Sequence, residues 1–341
     1  MAAVGALLGL AFSLSAQALV INPTYTGLSP AVQAEIASAI DFYETTFSDP
    51  ITVDIEFHEM KTGLGRSDLH WYFWSYQAYR AALIADATSP DDATANATLG
   101  PPPNDPILNE LYISLKPANG RAVGLPTPGL SIDLPGTCNF VGDGCIGLNI
   151  GETTLGGGRY SLFAVIQHEI DEILGLGSSL QPDGTIWQGY VSPEDLFRYT
   201  SPGVRSFGVN NCSADTPSAF LSIDGGTTNL NQFNNCANDG DYGDWVTSTP
   251  PQVQDAFATP GTSPFLTTTD PAVVGLDVIG YTLKAPAQIP EPASLLLLAT
   301  ALVGMRATRR GNARRSGVAR RPVARRRGAL AAPSRPSSPP P

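Results

Sequence analysis

Three side chains that can do chemistry together fall within five residues of one another: His168, Glu169 and Glu172, in the stretch LFAVIQHEIDEILGLG. An imidazole and a carboxylate four positions apart lie one helical turn apart on the same face, where both can reach one cation. Glu169, beside His168, is placed to take a proton from water that such a cation activates. The pattern is HExxH with its second histidine replaced by Glu172. To aim these groups into a cleft the segment must be helical and buried along its other side. Ile166, Ile170, Ile173 and Leu174 recur at that spacing, and Gly175 and Gly177 follow as a turn. The spacing predicts a helix over 163–174. The plain alternative is a charged helix face that happens to carry one histidine.

The elements that must position this helix can be read on either side of it. Ser29 and Pro30 start a helix whose buried stripe is Val32, Ile36, Ile40 and Tyr43. Ile51 to Met60 alternates, with Ile51, Val53, Ile55 and Phe57 inward and Asp54, Glu56 and His58 outward, as a half-buried strand does. An aromatic helix is expected from Tyr72 to Ala87, then a long surface excursion through residues 86–106. Short strands are expected at Leu111–Lys116 and Cys145–Ile150. Gly156 to Gly158 reads as the loop entering the motif helix, with no phosphate-loop pattern in it. His58 and His70, the other histidines, read as solvent-facing. The Asn96-Ala97-Thr98 sequon carries no weight, because such triplets are common by chance.

Composition bounds the function. Residues 1–18 are an apolar run ending Ala16-Gln17-Ala18, the form of a cleaved export signal, although a basic start is missing. Residues 19–289 hold 9 Lys/Arg against 30 Asp/Glu, a net −21, whereas residues 290–341 hold 11 Arg and one Glu, a net +10. A body this acidic repels nucleic acid and anionic membranes, so neither is an expected partner. Four cysteines in an exported chain allow 138–145 and 212–236 disulfides, the most local of three connectivities. The tight CxxC spacing of zinc ribbons is absent.

Beyond the helix run DLFRY, SIDGGTTNL, the acidic GDYGDW turn and a closing LDVIGY. With HEIDE and its glycines, these resemble a PEP-CTERM-associated, metzincin-like metalloprotease family over about residues 20–283. The resemblance implies an α+β, zincin-like domain with a mixed sheet, and a peptidase site on the 163–174 helix. In it His168 is a zinc ligand, Glu169 the general base, and Glu172 stands where the family's second histidine would be. It also implies that the strand before the helix, Cys145–Ile150, is the edge strand that pairs with substrate. On the pattern HExxHxxGxxH the third ligand falls at Ser178, a poor one, so a distant acid such as Asp195 is its expected replacement. Methionine occurs only at 1, 60 and 305, so the family's methionine turn is absent or rebuilt, around Ser263-Pro264-Phe265. One imidazole and two carboxylates suit zinc, or another divalent cation such as calcium or manganese.

Ile289-Pro290-Glu291-Pro292, the apolar span Ala293–Met305 and the cluster Arg306, Arg309 and Arg310 resemble a PEP-CTERM sorting signal. That resemblance implies an exosortase-type partner, a single C-terminal hydrophobic helix inserted transiently in a Gram-negative inner membrane, and transfer to the cell surface or extracellular matrix. The expected organisation is a signal peptide (1–18), the metalloprotease domain (19–284), the sorting signal (285–310) and a basic disordered tail (311–341). The expected function is a metal-dependent endopeptidase acting on protein or peptide outside the cytoplasm. The alternative is a degenerate zincin serving as a matrix or adhesion module. LDVIGY is expected to end the body at Tyr281 and to pack Val273, Leu276 and Ile279 on the motif helix.

Overall fold

The computed structural model describes residues 18–134, 138–154, 159–181, 183–208, 218–236 and 240–285. The chain divides between Lys284 and Ala285 into two units, and the first holds every element below. The signal peptide, Gly156–Gly158, Cys212, and the PEP-CTERM span with the hydrophobic helix expected there lie outside the described residues. Among the described residues no helix is long and apolar enough to cross a membrane.

The chain opens with strand β1 (Val20–Thr26), helix α1 (Pro30–Thr46) and strand β2 (Thr52–Glu59). Ser29 caps α1, its side chain accepting from the Val32 amide, and Val32, Ile36, Ile40 and Tyr43 are buried as the spacing requires. Strand β3 (Gly65–Asp68) and strand β4 (Tyr72–Ser75) precede helix α2 (Tyr76–Asp86) and helix α3 (Pro90–Asn96). The aromatic helix expected from Tyr72 is therefore a strand for its first four residues. YFWS is bulky and aromatic, pairs with β5 (Tyr112–Leu115), and gives way to helix only where Ser75 caps the Ala78 amide. The surface excursion of 86–106 also contains structure, because Ser89 and Asp92 form a reciprocal capping box that starts α3.

Helix α4 (Pro117–Ala122), the hairpin β6 (Leu130–Leu134) and β7 (Cys138–Gly142), and strand β8 (Gly144–Leu148) follow. Short strands β9 (Thr153–Thr154) and β10 (Tyr160–Ser161) lead into helix α5 (Leu162–Leu174), the motif helix. After it come β11 (Arg198–Ser201), β12 (Val204–Arg205), β13 (Phe220–Leu221), β14 (Asn231–Gln232) and helix α6 (Pro271–Val278). The fold is α+β with several small sheets. The principal sheet is mixed, in the order β1-β2-β8-β3, with β3 antiparallel on an otherwise parallel ladder.

That order corrects the expected edge strand. The strand at 145–150 is β8, internal between β2 and β3, and all its residues are buried. The edge is β3, whose sequence GRSD has no apolar alternation to announce it. His58 is also corrected: it sits on the outer face of β2, as alternation requires, yet it is only 7% exposed. His70 does face solvent, its Nε2 against the Ser131 carbonyl.

Helix α5 lies under the sheet with Ile166, Ile170, Ile173 and Leu174 fully buried, each worth about 1.5–3 kcal/mol. On its inner side Tyr43 of α1 donates to the Gln167 carbonyl (2.7 Å) and to Asp171 Oδ1 (2.8 Å). At its C-terminus the Tyr281 hydroxyl donates to the Leu174 carbonyl (2.7 Å), and Val273, Leu276 and Ile279 are buried where α6 meets α5. The chain holds its place a little beyond Tyr281, since Leu283 bridges to Phe47 and the Lys284 amide donates to the Thr46 carbonyl. Cys138 and Cys145 form a disulfide with Cα atoms 6.4 Å apart. Cys236 is also disulfide-bonded, its expected partner Cys212 lying outside the described residues.

Around α2, α3 and α6 several carboxyls crowd together. Burial, with neighbouring acids adding to it, pushes Asp49 and Asp277 up to about 7 and Asp86 up to about 6. A carboxyl raised in the folded state stabilises fully below its unfolded value and loses that contribution as pH rises through its folded value. Stability should therefore decline from about pH 4 to about pH 7. Asp277→Asn, which cannot ionise, should show a shallower decline in melting temperature over that interval. A variant with the wild-type slope would contradict the assignment.

Candidate metal centre

Three of the side chains facing the cleft come from α5, where the HEIDE spacing sets their directions. His168 and Glu172 share a face, with His168 Nε2 3.8 Å from Glu172 Oε1. The ring is oriented through its other nitrogen, since Nδ1 lies 3.0 Å from the Val253 carbonyl and donates to it. That bond leaves Nε2 as the free nitrogen aimed into the cleft. Glu172 is held through Oε2, which accepts from the Ser67 hydroxyl on β3. Glu169 is buried beside them and packs under Gly65, where an added Cβ would stand only 2.3 Å from Glu169 Oε1 and 2.6 Å from Val165 Cγ1. Gly65 thus lets the edge strand cross directly over the helix.

The third acid is Asp244, in the GDYGDW turn. Its Oδ2 lies 3.6 Å from His168 Nε2, and its Oδ1 accepts from Gln254 Nε2 at 2.9 Å. His168, Glu172 and Asp244 each offer one atom, all within 4.8 Å of one another. The turn reaches the helix through two glycines. A Cβ on Gly243 would stand 2.4 Å from Gly177 Cα and 2.5 Å from the Ser178 amide nitrogen, so the backbones touch there. Trp245, 1% exposed and 5.0 Å from the Phe233 ring, anchors the turn next to Asp244.

Asp195, the expected third acid, is elsewhere. Its carboxylate accepts from Ser178 Oγ (2.5 Å), the Ser179 amide (3.0 Å), and the Ser192 amide and hydroxyl (2.8 Å each), so it fastens the loop after the helix. Ser178 is likewise committed to Asp195. Pro264 lines the cleft and the Leu266 amide donates to Gln167 Oε1 (3.1 Å), so the segment from Ser263 to Phe265 runs alongside α5. A second group of ligand types, Glu56 with Cys138 and Cys145, has its sulfurs 3.9 and 4.0 Å from Glu56 Oε2, but they are joined in a disulfide and offer no thiolate.

The cleft measures about 760 Å³. One wall is the edge segment Thr62–Ser67 and the other is Gln252–Thr259, with His168, Glu169, Glu172, Asp241 and Asp244 on the floor. Burial would lower the His168 pKa, but the carboxylates of Asp244, Glu169 and Glu172 outweigh it and push it to about 10. Burial, then the charge of Glu172, drives Glu169 well above its ordinary value. Burial raises Asp244 to about 8 against the pull of His168. Burial and Glu172 raise Asp241 as well. These are the marks of a site with more negative charge than its own cations offset.

The donor set fits a divalent cation. One imidazole nitrogen with two carboxylate oxygens 3.8 and 3.6 Å from it is a donor set that zinc or another divalent cation such as calcium could use. Reading by sequence named His168, Glu169 and Glu172, which the structure brings together, and did not name Asp244, which lies with them. The only signal available was the pair of glycines in GDYGDW, which matched a family pattern without showing that the turn meets Gly177.

Comparison with known proteins adds a different kind of information. A PEP-CTERM protein-sorting motif matches residues 288–311. It indicates export and membrane-associated sorting in Gram-negative bacteria, and recognition by an exosortase-type enzyme. No curated protein and no solved structure matches the chain.

The glycine contact is open to a direct test. Gly243→Ala should push the turn off Gly177, lowering divalent-cation uptake at least tenfold and the melting temperature by several degrees. Gly151→Ala, whose Cβ would meet only Asn149 Oδ1 at 3.4 Å, is the control. Equal cation uptake by the two variants, measured by titration calorimetry, would show that Asp244 does not need the close approach.

Proposed function

We propose that the exported body is a metal-dependent endopeptidase of zincin-like design, with zinc or another divalent cation held by His168, Glu172 and Asp244. The observation that carries this reading is their convergence beside Glu169 on the floor of a cleft. When bound, the cation would supply an electrophile for the scissile carbonyl and would acidify a water. The chain's own residues do the rest. Glu169 takes a proton from that water as its oxygen attacks the carbonyl carbon, and delivers the proton to the amine as the C–N bond breaks. Val253 and Gln254 fix the orientation of His168 and Asp244 through the bonds described above. The free side of β3 offers unpaired backbone groups to which an extended peptide can add as a further strand, laying its scissile bond over α5.

The sorting motif completes the proposal at cellular level. The segment after 285 would insert transiently in the inner membrane through a hydrophobic helix. An exosortase-type enzyme would then pass the body to the cell surface or matrix. A second reading, a non-catalytic matrix or adhesion module, is favoured by one observation: His168 as an imidazolium is already flanked by Asp244 and Glu172, a cluster that can satisfy itself as ion pairs.

Elemental analysis and peptidase assays separate the two. The purified chain should carry about one divalent ion. Glu169→Gln should keep the ion and lose at least about a hundredfold in peptide hydrolysis, the usual cost of removing a general base. His168→Ala should lose both ion and activity. A metal-free chain that cleaves nothing would leave the adhesion reading standing, and Glu169→Gln with wild-type turnover would remove Glu169 from the mechanism.

A further inference from the structure

A second group of ligand atoms lies on the opposite face of the principal sheet, and nothing in the peptidase reading uses it. His58 is 7% exposed on β2, and neither ring nitrogen has a hydrogen-bond partner. A buried imidazole left wholly unpaired is costly and unusual enough to need a cause. Its partner in the parallel ladder is Gly147 of β8. The missing side chain there lets both neighbouring side chains close over the backbone. A Cβ built on Gly147 would stand 3.1 Å from His58 Nε2 and 2.9 Å from Met60 Sδ. An imidazole nitrogen and a thioether sulfur therefore border one small space, from residues two apart that share a face beyond the end of the strand.

We propose that His58 and Met60 form a second metal site, one that takes a soft monovalent cation of the copper(I) class. Three features select that class. The thioether is a soft donor that zinc, magnesium and calcium do not favour, whereas copper(I) does, and imidazole serves copper as well. The donor count is low: among the described residues His58 belongs to no cluster of three His, Cys, Asp and Glu ligand atoms. Structural zinc needs four donors and calcium six or more, whereas copper(I) is satisfied by two or three. An entry path exists, because Met60 also lines the large cleft, so an ion reaching Sδ from solvent can be passed inward to His58 Nε2. Gly147 is needed because any side chain there would press on both donors and drive them apart. The step is coordination alone, with no bond broken and no change of oxidation state.

The test is anaerobic titration of the purified full chain with copper(I) held by a coloured chelator, bicinchoninate, with ascorbate as reductant so that the disulfides stay intact. The wild-type chain should withdraw one equivalent of copper(I). Met60→Leu, which conserves volume, and Gly147→Ala should each weaken uptake at least tenfold, and His58→Ala should abolish it. His168→Ala should take up copper(I) like wild type, because its centre is separate. X-ray absorption of the copper-loaded chain should show a sulfur neighbour that disappears in Met60→Leu. A wild-type chain that leaves the chelator complex intact overturns the proposal. So does a folded Met60→Leu with wild-type uptake and spectrum, or loss of copper in His168→Ala.

Discussion

Helix α5 carries His168, Glu169, Asp171 and Glu172 into or beside the protein interior, and the rest of the structure is arranged around making that tolerable. An ionised side chain moved out of water costs several kcal/mol unless paired or hydrogen-bonded. The elements that pack on α5 are also those that furnish its partners. Tyr43 of α1 serves Asp171, Ser67 of β3 serves Glu172, and the Val253 carbonyl with Asp244 serves His168. Lys116 lies buried at the end of β5, its ammonium donating to the Glu172 carbonyl (2.7 Å) and to that of Leu176, where helix carbonyls lack internal partners. Burial lowers the Lys116 pKa against the pull of Glu172 and the other nearby acids, and a cation at a helix C-terminus also meets the negative end of the dipole.

These partners come from both ends of the chain, so the site is a product of the complete body. Tyr43 and Ser67 precede α5 by more than ninety residues, and Asp244, Val253 and Tyr281 follow it by seventy or more. A cation bound by His168, Glu172 and Asp244 would tie α5 to the 240–245 turn and so stabilise the fold as a whole, by an amount set by its concentration over its dissociation constant. The same reasoning explains why glycines sit at the contacts that matter. Gly65 admits the edge strand over Glu169, and Gly243 admits the turn against Gly177. Each contact is backbone lying against the helix or the turn after it, and a side chain would hold the acid away.

Much of this was legible where burial imposes a period. The caps and stripes of α1, the alternation of β2, and the apolar face of α5 follow from residues that must point at one core. The motif face of α5 was legible for the same reason: a 3.6-residue repeat fixes which side chains share a direction. Legibility stopped where no period exists. Strand β3 reads GRSD and is held by its ladder and by α5. The first turn of the expected aromatic helix is strand because β5 is there to pair with it, a fact local propensity does not contain. Asp244 lies in irregular chain, where an acid that meets His168 looks like any other surface acid. Asp195, the acid expected there, is instead spent on the amides and hydroxyls of the loop after the helix. His58 shows the limit of alternation most plainly, since alternation gives its face of the strand and not whether that face is covered.

The charge on the cleft decides what the site does next. Glu169, Glu172, Asp241, Asp244 and Asp255 all line it, and the cationic groups among the lining residues are His168 and Arg66, the latter paired with Asp68. Without a further cation the surplus is met by protons: His168 is charged up to about pH 10, Asp244 holds its proton to about pH 8, and burial with the charge of Glu172 raises Glu169 well above its ordinary value. A dication coordinated by His168 Nε2 and the two carboxylates must displace the protons on those atoms, so proton and metal compete for one set of lone pairs. Uptake should therefore strengthen as pH rises through neutrality. Once a dication is present, its charge lowers the pKa of Glu169, since the nearest positive charge then favours the carboxylate. A bound dication would thus favour the ionised form of Glu169, the form that the proposed general base needs, and would set the protonation of the residue beside it.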